Sequence, residues 1–528
     1  MKVIIVGGVA GGATAAARIR RLDEHAEIIV FERSGYISYA NCGLPYYIGD
    51  VITDPEELTL QTPESFFKRF HINMKIYHEV ISIHPDRRTV SVKNLENGEI
   101  FEENYDKLIL SPGAKPTQPR LPEVGIDKLF TLRTVEDTFR IKEYINKNHP
   151  KSAILAGGGF IGLELAENLR ELGMDVTIVQ RPKQLMNPFD PDMASMIHNE
   201  MRKHGIKLVL GYTVEGFREK DNGVEILLKD NPSLQADMVV LAIGVTPDTA
   251  LAKEAGLELG IKGSIVVNDR METSVPDIYA AGDAVQVKHY VTGDDALISL
   301  AGPANKQGRI IADNICGGDS HYLGSQGSSV IKVFDMTAAT TGINETNAKK
   351  SGLEVDTVIL SPMSHAGYYP GGKVMTMKVV FEKETYRLLG AQIIGYEGVD
   401  KRIDVLATAI HAGLKATQLK DLDLAYAPPY SSAKDPVNMA GFMIDNIAKG
   451  TLKQWHLEDM DKISKDKNVV LLDVRTVGEF NRGHMKGFNN IPVDELRERI
   501  SEIEKGKPVY LICQSGLRSY IASRILEG

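Results

Sequence analysis

Cys42 stands in Ser38-Tyr-Ala-Asn-Cys42-Gly-Leu-Pro-Tyr-Tyr-Ile-Gly49, ten residues after Glu32 and flanked by glycine and proline turn signals. A thiolate there would be a nucleophile toward a disulfide sulfur and, beside a redox cofactor, an electron acceptor or donor. The bland alternative is an inert buried thiol. A second candidate is Cys513, in Pro508-Val-Tyr-Leu-Ile-Cys513-Gln-Ser-Gly-Leu-Arg518-Ser519. Strand, tight polar loop and helix in that order set the sulfur over backbone amides. That setting lowers a thiol pKa and holds an anionic persulfide or oxyanion. Cys513 to Arg518 spans six residues, which suits a sulfur atom; a phosphatase loop is one residue longer. Cys316, in Asn314-Ile-Cys-Gly-Gly, reads as a helix-end bystander. Two tyrosine clusters, His365-Ala-Gly-Tyr368-Tyr369-Pro and Ala425-Tyr426-Ala-Pro-Pro-Tyr430-Ser-Ser-Ala-Lys434, read either as packing or as phenols able to donate to a thiolate.

These residues need elements to carry them. Val3-Ile-Ile-Val-Gly7-Gly8-Val9-Ala10-Gly11-Gly12 predicts a buried strand, a glycine turn and an alanine-rich helix to Leu22. Glu32 ends the next strand, with Arg33 after it. Helix-terminal amides would face a pyrophosphate and Glu32 would accept from a ribose hydroxyl. The middle position of the glycine pattern is Val9, with Gly8 and Gly11 supplying neighbouring flexibility. The second pattern is complete: Gly157, Gly159 and Gly162 follow a strand and open a helix expected over 163–172. Its acid position holds Gln180, then Arg181, so a 2′-phosphate is allowed and NADH versus NADPH stays open. Two such units predict two dinucleotides and electron transfer between them. The strand into Ser111-Pro-Gly113 is either a passage close to a flavin or a simple exit turn. Asp283, at the end of Asp277-Ile-Tyr-Ala-Ala-Gly282, fits a flavin ribityl hydroxyl or a helix cap.

Composition sets the outer limits. The chain has 528 residues, 43% hydrophobic and 25% charged, the proportions of a globular protein of several domains. Net charge is −9 with no basic run, so nucleic acid and anionic membrane are poor partners. No apolar stretch reaches the length of a membrane helix, and the amino terminus is a strand rather than a signal peptide. Three cysteines make no disulfide framework, and no Cys/His cluster suggests a metal. The expected compartment is the reducing cytoplasm.

Residues 1 to about 445 resemble the pyridine nucleotide–disulfide oxidoreductases, specifically the single-cysteine coenzyme A-disulfide reductases. The marks are Gly7-Gly-Val-Ala-Gly-Gly12, the Cys42 segment and the paired tyrosine segments. Residues from about 456 resemble a rhodanese domain through Asp473-Val-Arg475, Glu479-Phe, Gly483-His484 and the Cys513 loop. The fusion resembles enzymes that join the two, some acting on persulfides and polysulfides. The resemblance implies an α/β protein with two Rossmann-like domains, an α+β dimerisation domain and a C-terminal α/β rhodanese domain. The expected divisions are 1–112 plus 244–324 for FAD, 113–243 for NAD(P)H, 325–448 for dimerisation, and 449–528 for a linker and a rhodanese domain that should continue with another strand and helix.

It further implies that Cys42 cycles between thiolate and a mixed disulfide with coenzyme A, with Tyr368 and Tyr426 as active-site phenols (Tyr369 and Tyr430 being near neighbours). Thr14, Arg18, Arg21, Ser38, Asn41, Asn305, Arg309 and Lys434 match coenzyme A-binding positions, Arg18 and Arg21 sharing a helix face. Cys513 is implied as the carrier of sulfane sulfur, with Arg518 as a substrate-binding residue of its loop. The cofactors are FAD and NAD(P)H, the substrates coenzyme A disulfide, persulfide or polysulfide, and the assembly a homodimer. The related NADH oxidases and peroxidases carry a histidine where this chain has Ala10, which disfavours peroxidase chemistry. Two rival readings remain: an NADH oxidase using a Cys42 sulfenic acid, and a sulfurtransferase whose flavoprotein part is a redox-sensing scaffold.

Overall fold

Val3, Ile4, Ile5 and Val6 are all buried, as befits a parallel strand covered on both faces. Their strand, Lys2–Val6, pairs in parallel with Glu27–Phe31 on one side and Lys107–Leu110 on the other. Asn73–Lys75 and Ile278–Ala280 complete this five-stranded sheet. The computed structural model describes residues 1–117, 127–220 and 223–528, which fall into two compact units, Met1–Gly342 and Ile343–Gly528.

Within the first unit the strand 278–280 closes the first sheet only after a second sheet has been formed. That second sheet is also parallel, with strands Leu129–Thr131, Met238–Leu241, Ser152–Ala156, Asp175–Gln180 and Lys207–Leu210 in spatial order. A short ribbon of Ala114–Pro116 against Val245–Pro247 marks both passages of the chain between the two. This is the pair of Rossmann-like folds expected from the glycine patterns. The helix after the second glycine turn runs Phe160–Glu171, not 163–172; it starts at once because Gly159 is its N-cap and the next residues make the first turn.

The first helix, Ala10–Leu22, is rich in alanine and glycine because another helix, Ala301–Ile315, lies against it. A Cβ on Gly308 would come 2.4 Å from the Gly11 carbonyl oxygen, so the two helices meet backbone to backbone. The unit ends in a hairpin, Ser329–Val333 with Met336–Gly342. Buried Glu167 of the second nucleotide fold pins it, accepting from the Phe334 amide at 2.7 Å and from Lys332.

The second unit holds an antiparallel sheet of Val355–Leu360, Met375–Glu382 and Leu388–Gly395, with helices Val399–His411 and Pro436–Ala448. Beyond them a small parallel sheet places Val470–Asp473 between Asn489–Asn490 and Val509–Ile512. Its last helix, Leu517–Glu527, follows the Cys513 loop. The segment joining these parts is fixed by side chains. Gln454 donates to Asp356 Oδ1 at 3.0 Å and to the Thr357 carbonyl at 2.8 Å. His456 pairs with Asp356 at 2.9 Å, and the Trp455 indole donates to the Leu511 carbonyl at 3.1 Å.

Candidate active site

The two glycine turns are built alike, and sterics say why. A Cβ on Gly12 would lie 1.9 Å from the Gly7 carbonyl oxygen, and one on Gly162 would lie 2.1 Å from that of Gly157. Gly7 and Gly157 themselves have φ of +97° and +122°, where side chains are strained. A Cβ on Gly159, by contrast, would meet nothing within 4 Å, which leaves that side of the backbone open for a pyrophosphate to approach. In the first turn the Gly8 amide donates to Glu32 Oε2 at 2.8 Å; in the second the Gly158 amide donates to Gln180 Oε1 at 3.0 Å. Each of these oxygens keeps a lone pair for a ribose hydroxyl. Burial pushes the Glu32 carboxyl up, opposed by the Gly8 and Ser34 amides. The residues present thus fit two dinucleotides, one beside an acid and one beside an amide. Arg33 pairs with Asp248 at 2.9 Å.

The Cys42 segment is tied to the first glycine turn. Ser38, with φ of +45°, donates its amide to the Gly8 carbonyl at 2.9 Å, and the Ala40 amide donates to Leu58. Asn41-Cys42-Gly43 form one turn of 3-10 helix that runs into Leu44–Ile48. That short helix packs on Phe160–Glu171, so closely that a Cβ on Gly49 would be 2.1 Å from Asn168 Oδ1. Cys42 is thereby delivered, exposed, between the two nucleotide folds of the first unit.

Its electrostatic surroundings disfavour a thiolate. Desolvation raises the Cys42 thiol, Glu164 and Asp283 add to this, and only Arg133 opposes it. Glu164 is itself pushed up to about 7 by burial and by Glu167. Tyr46, facing the same groups, is pushed up to about 12, chiefly by burial. Asp283 is bonded to Arg133 at 2.7 Å, and Gly113 (φ +72°) faces the same guanidinium. Asp283, Gly113 and Cys42 therefore gather around Arg133. The reading of the sequence missed Arg133, Glu164 and Tyr46. Glu164 and Tyr46 lie inside the motifs already singled out, whereas Arg133 follows a short strand with no motif at all.

The residues matched to coenzyme A divide. Thr14 Oγ1 donates to Asn305 Oδ1 at 2.7 Å, and Arg18 Nε to Asp313 Oδ1 at 2.7 Å. Arg309 lies 3.9 Å from the other oxygen of Asp313. The contact of the first helix with Ala301–Ile315 thus gathers Thr14, Arg18, Asn305 and Arg309. Arg21 is exposed on the first helix. Cys316 caps the end of the second helix against the apolar core, as a bystander should.

In the second unit the Tyr368 and Tyr426 hydroxyls are 2.6 Å apart. Both are exposed, at 76% and 45%, and the bond with Tyr368 pushes the Tyr426 phenol up. Tyr369 instead meets buried His365 edge-on at 5.6 Å. Lys434 precedes the buried Asp435. In the Cys513 loop the Gly516 amide donates to Sγ at 3.1 Å and the Ser519 amide at 3.4 Å. Burial works against this thiolate, yet bonds from Ser519, Ser515 and Gly516 hold the thiol below its ordinary range. Arg518 makes a two-pronged pair with Glu479, both distances 2.7 Å, which holds the Glu479 carboxyl well below the usual range. Among the described residues no His, Cys, Asp and Glu group is arranged for a metal, and no helix is long and apolar enough to cross a membrane.

Residues 1–308 match the pyridine nucleotide-disulphide oxidoreductase family, residues 328–436 its dimerisation domain, and residues 456–528 the rhodanese-like domain. A coenzyme A disulfide reductase of Staphylococcus aureus is 39% identical over 443 residues, 84% of this chain and 99% of that protein. The crystal structure of reduced Bacillus anthracis CoADR-RHD superposes with a TM-score of 0.97 at 49% identity, covering 100% of this chain and 94% of that one. A NAD-dependent persulfide reductase from A. fulgidus superposes with a TM-score of 0.93 at 38% identity, covering 100% and 97%.

Proposed function

Since the chain belongs to the pyridine nucleotide-disulphide oxidoreductases and is an oxidoreductase, we propose that it reduces coenzyme A disulfide or a coenzyme A persulfide, with Cys42 as the sulfur nucleophile. The observation that carries this is the Ser38–Gly8 backbone bond, which hangs the cysteine segment on the first nucleotide turn. FAD in the first cradle and NAD(P)H in the second supply the two electrons. The Gly7–Gly12 and Gly157–Gly162 turns bind the pyrophosphates, while Glu32 and Gln180 orient the riboses.

Cys42 Sγ attacks one sulfur of coenzyme A disulfide; the Cys42–sulfur bond forms, the sulfur–sulfur bond of the substrate breaks, and one coenzyme A thiolate leaves and takes a proton. Two electrons then split the Cys42–coenzyme A disulfide, returning the Cys42 thiolate and a second coenzyme A thiol. Per turnover, one NAD(P)H and one proton convert one disulfide into two thiols. With a persulfide the products are coenzyme A thiol and hydrogen sulfide.

One phenol of the Tyr368–Tyr426 pair serves as hydrogen-bond donor to the leaving thiolate, since the accepting phenol keeps its own proton free. Thr14, Arg18, Asn305 and Arg309 hold the carrier, aided by Arg21, Ser38, Asn41 and Lys434. Glu164, pushed up to about 7, exchanges a proton near neutrality beside Cys42. Cys513, with its lowered pKa, carries sulfane sulfur as a persulfide and Arg518 orients the donor. The dimerisation domain supports a homodimer.

The test is anaerobic NAD(P)H oxidation with coenzyme A disulfide by wild type and by Cys42→Ser. The variant should keep its flavin spectrum and lose turnover by at least about a thousandfold, as expected for removal of a nucleophile. Mass spectrometry of the unreduced wild type should find coenzyme A on Cys42. Near-normal turnover by the variant would remove Cys42 from the reaction.

A further inference from the structure

Among the described residues Arg402 is the largest fully buried side chain, 1% exposed, and it lies beneath both tyrosine segments of the second unit. It projects from the helix Val399–His411. Nη2 donates to the Ser364 carbonyl at 2.9 Å and to Asp435 Oδ2 at 3.0 Å. The same nitrogen donates to Ser431 Oγ at 3.1 Å and to the Tyr430 carbonyl at 3.3 Å. Nε donates to Asp435 Oδ2 at 3.2 Å and Nη1 to the Gly398 carbonyl at 3.1 Å. Ser364 stands four residues before Tyr368 and Tyr430 four after Tyr426, so the two tyrosine segments reach one guanidinium.

The same frame is closed by further bonds. The Ala366 amide donates to the Ser431 carbonyl at 2.9 Å and the Tyr369 amide to Ala366 at 3.0 Å. Ser431 Oγ donates to Asp435 Oδ2 at 2.6 Å, and Asp435 Oδ1 caps Pro436–Ala448 through the Val437 amide at 3.0 Å. Lys401 reaches the Ala425 carbonyl at 3.4 Å. The tyrosines themselves are exposed and joined through their hydroxyls, on two loops far apart in sequence. So exposed a pair needs its loops held in place, and the loops are held from underneath.

The geometry points to Arg402 as a positioning residue that sets the Tyr368–Tyr426 hydroxyl pair, and Lys434 beside Asp435, for the coenzyme A substrate. This rests on the assignment of those phenols under Proposed function. Burying a guanidinium costs more than burying an apolar side chain of similar size, so stability alone does not explain an arginine here. What arginine supplies is a planar fork that reaches several acceptors in fixed directions, which lysine cannot reproduce.

The test compares wild type, R402K, Y368F and the double variant R402K/Y368F as full-length holoenzymes, with three readouts: FAD content, anaerobic flavin bleaching by NADH, and steady-state reduction of coenzyme A disulfide. R402K should keep FAD and bleach at the wild-type rate. Its kcat should fall about 100-fold, the penalty for misplacing a reacting group by about an ångström. The double variant should be no slower than the slower single variant, because both act through one pair. R402K turnover within threefold of wild type, parallel loss of bleaching, or additive losses in the double variant would each overturn the assignment. Should R402K fail to fold, S431A takes its place: it removes one acceptor of the fork, and the same non-additivity with Y368F is required. Wild type that bleaches normally but does not turn over coenzyme A disulfide would sink the substrate reading instead, and is told apart by that result.

Discussion

At the scale of single residues, the two reactive sulfurs have been given opposite surroundings. Cys42 is the more exposed, yet desolvation and the Glu164 carboxylate push its thiol up; Cys513 is less exposed, yet loop amides pull its thiol down. Thiolate fraction and accessibility therefore predict different orders of reaction. Near pH 6.5 the thiolate fraction varies tenfold per pKa unit and outweighs a modest difference in access. Brief treatment of the reduced protein with iodoacetamide at pH 6.5, followed by peptide mass mapping, should find Cys513 modified first, and Cys42 catching up by pH 9. At pH 8 and above, where Glu164 (pushed up to about 7) carries its charge, Glu164→Gln should speed Cys42 modification several-fold, since it removes a charge that opposes the thiolate. Equal rates at Cys42 in wild type and variant would show that Glu164 does not face the sulfur. Both cysteines were legible in the sequence because each sits in a short contiguous signature. Arg133 was not: it meets Asp283 only because 150 residues of intervening chain fold into a second sheet, and no local pattern encodes that meeting.

At the scale of elements, the segment joining the antiparallel sheet to the Cys513 part is held by an ion pair that titrates. The Asp356 hydrogen bond raises the His456 imidazole, with Glu345 and Asp459 adding to it against burial; Asp356 is correspondingly held low despite its burial. A raised histidine contributes its stability in full below its unfolded value, about 6.5, and loses it as pH climbs through the folded value. The pair is partly exposed, so about 1 kcal/mol or less is at stake. Trp455 is the only tryptophan and its indole is bonded to Leu511, which makes its emission a direct report on this contact. Between pH 6 and pH 9 the emission should move toward that of a more hydrated indole, and His456→Gln should flatten the change. A pH-independent signal in wild type would mean the contact does not depend on the imidazole's charge. The glycine turns, strands and following helices were readable from sequence because local sterics dictate them: Gly12 and Gly162 have no room for a Cβ. The Arg402 frame was not readable, since an arginine in an amphipathic helix looks solvent-facing until the two tyrosine segments close over it.

At the scale of the whole molecule, one architectural idea is used twice within the first unit, and its two versions differ in the functional group that faces the ribose. Glu32 and Gln180 make the same bond to the second glycine of their turns, but one carries charge and the other does not. We expect the Gln180 cradle to admit NADPH as well as NADH, with Arg181 next in sequence to meet a 2′-phosphate. Gln180→Glu should lower kcat/KM for NADPH by about tenfold or more, about 1.4 kcal/mol, while NADH is affected much less. Steady-state rates with both nucleotides decide this; an unchanged ratio would mean that the ribose does not reach residue 180.

That exchange of an oxygen for a nitrogen also bears on how the apoprotein sorts its ligands. A nucleotide bearing a third phosphate should be repelled from the mouth guarded by Glu32 and tolerated at the one guarded by Gln180, so that charge steers NADPH, though not NADH, away from the flavin's seat.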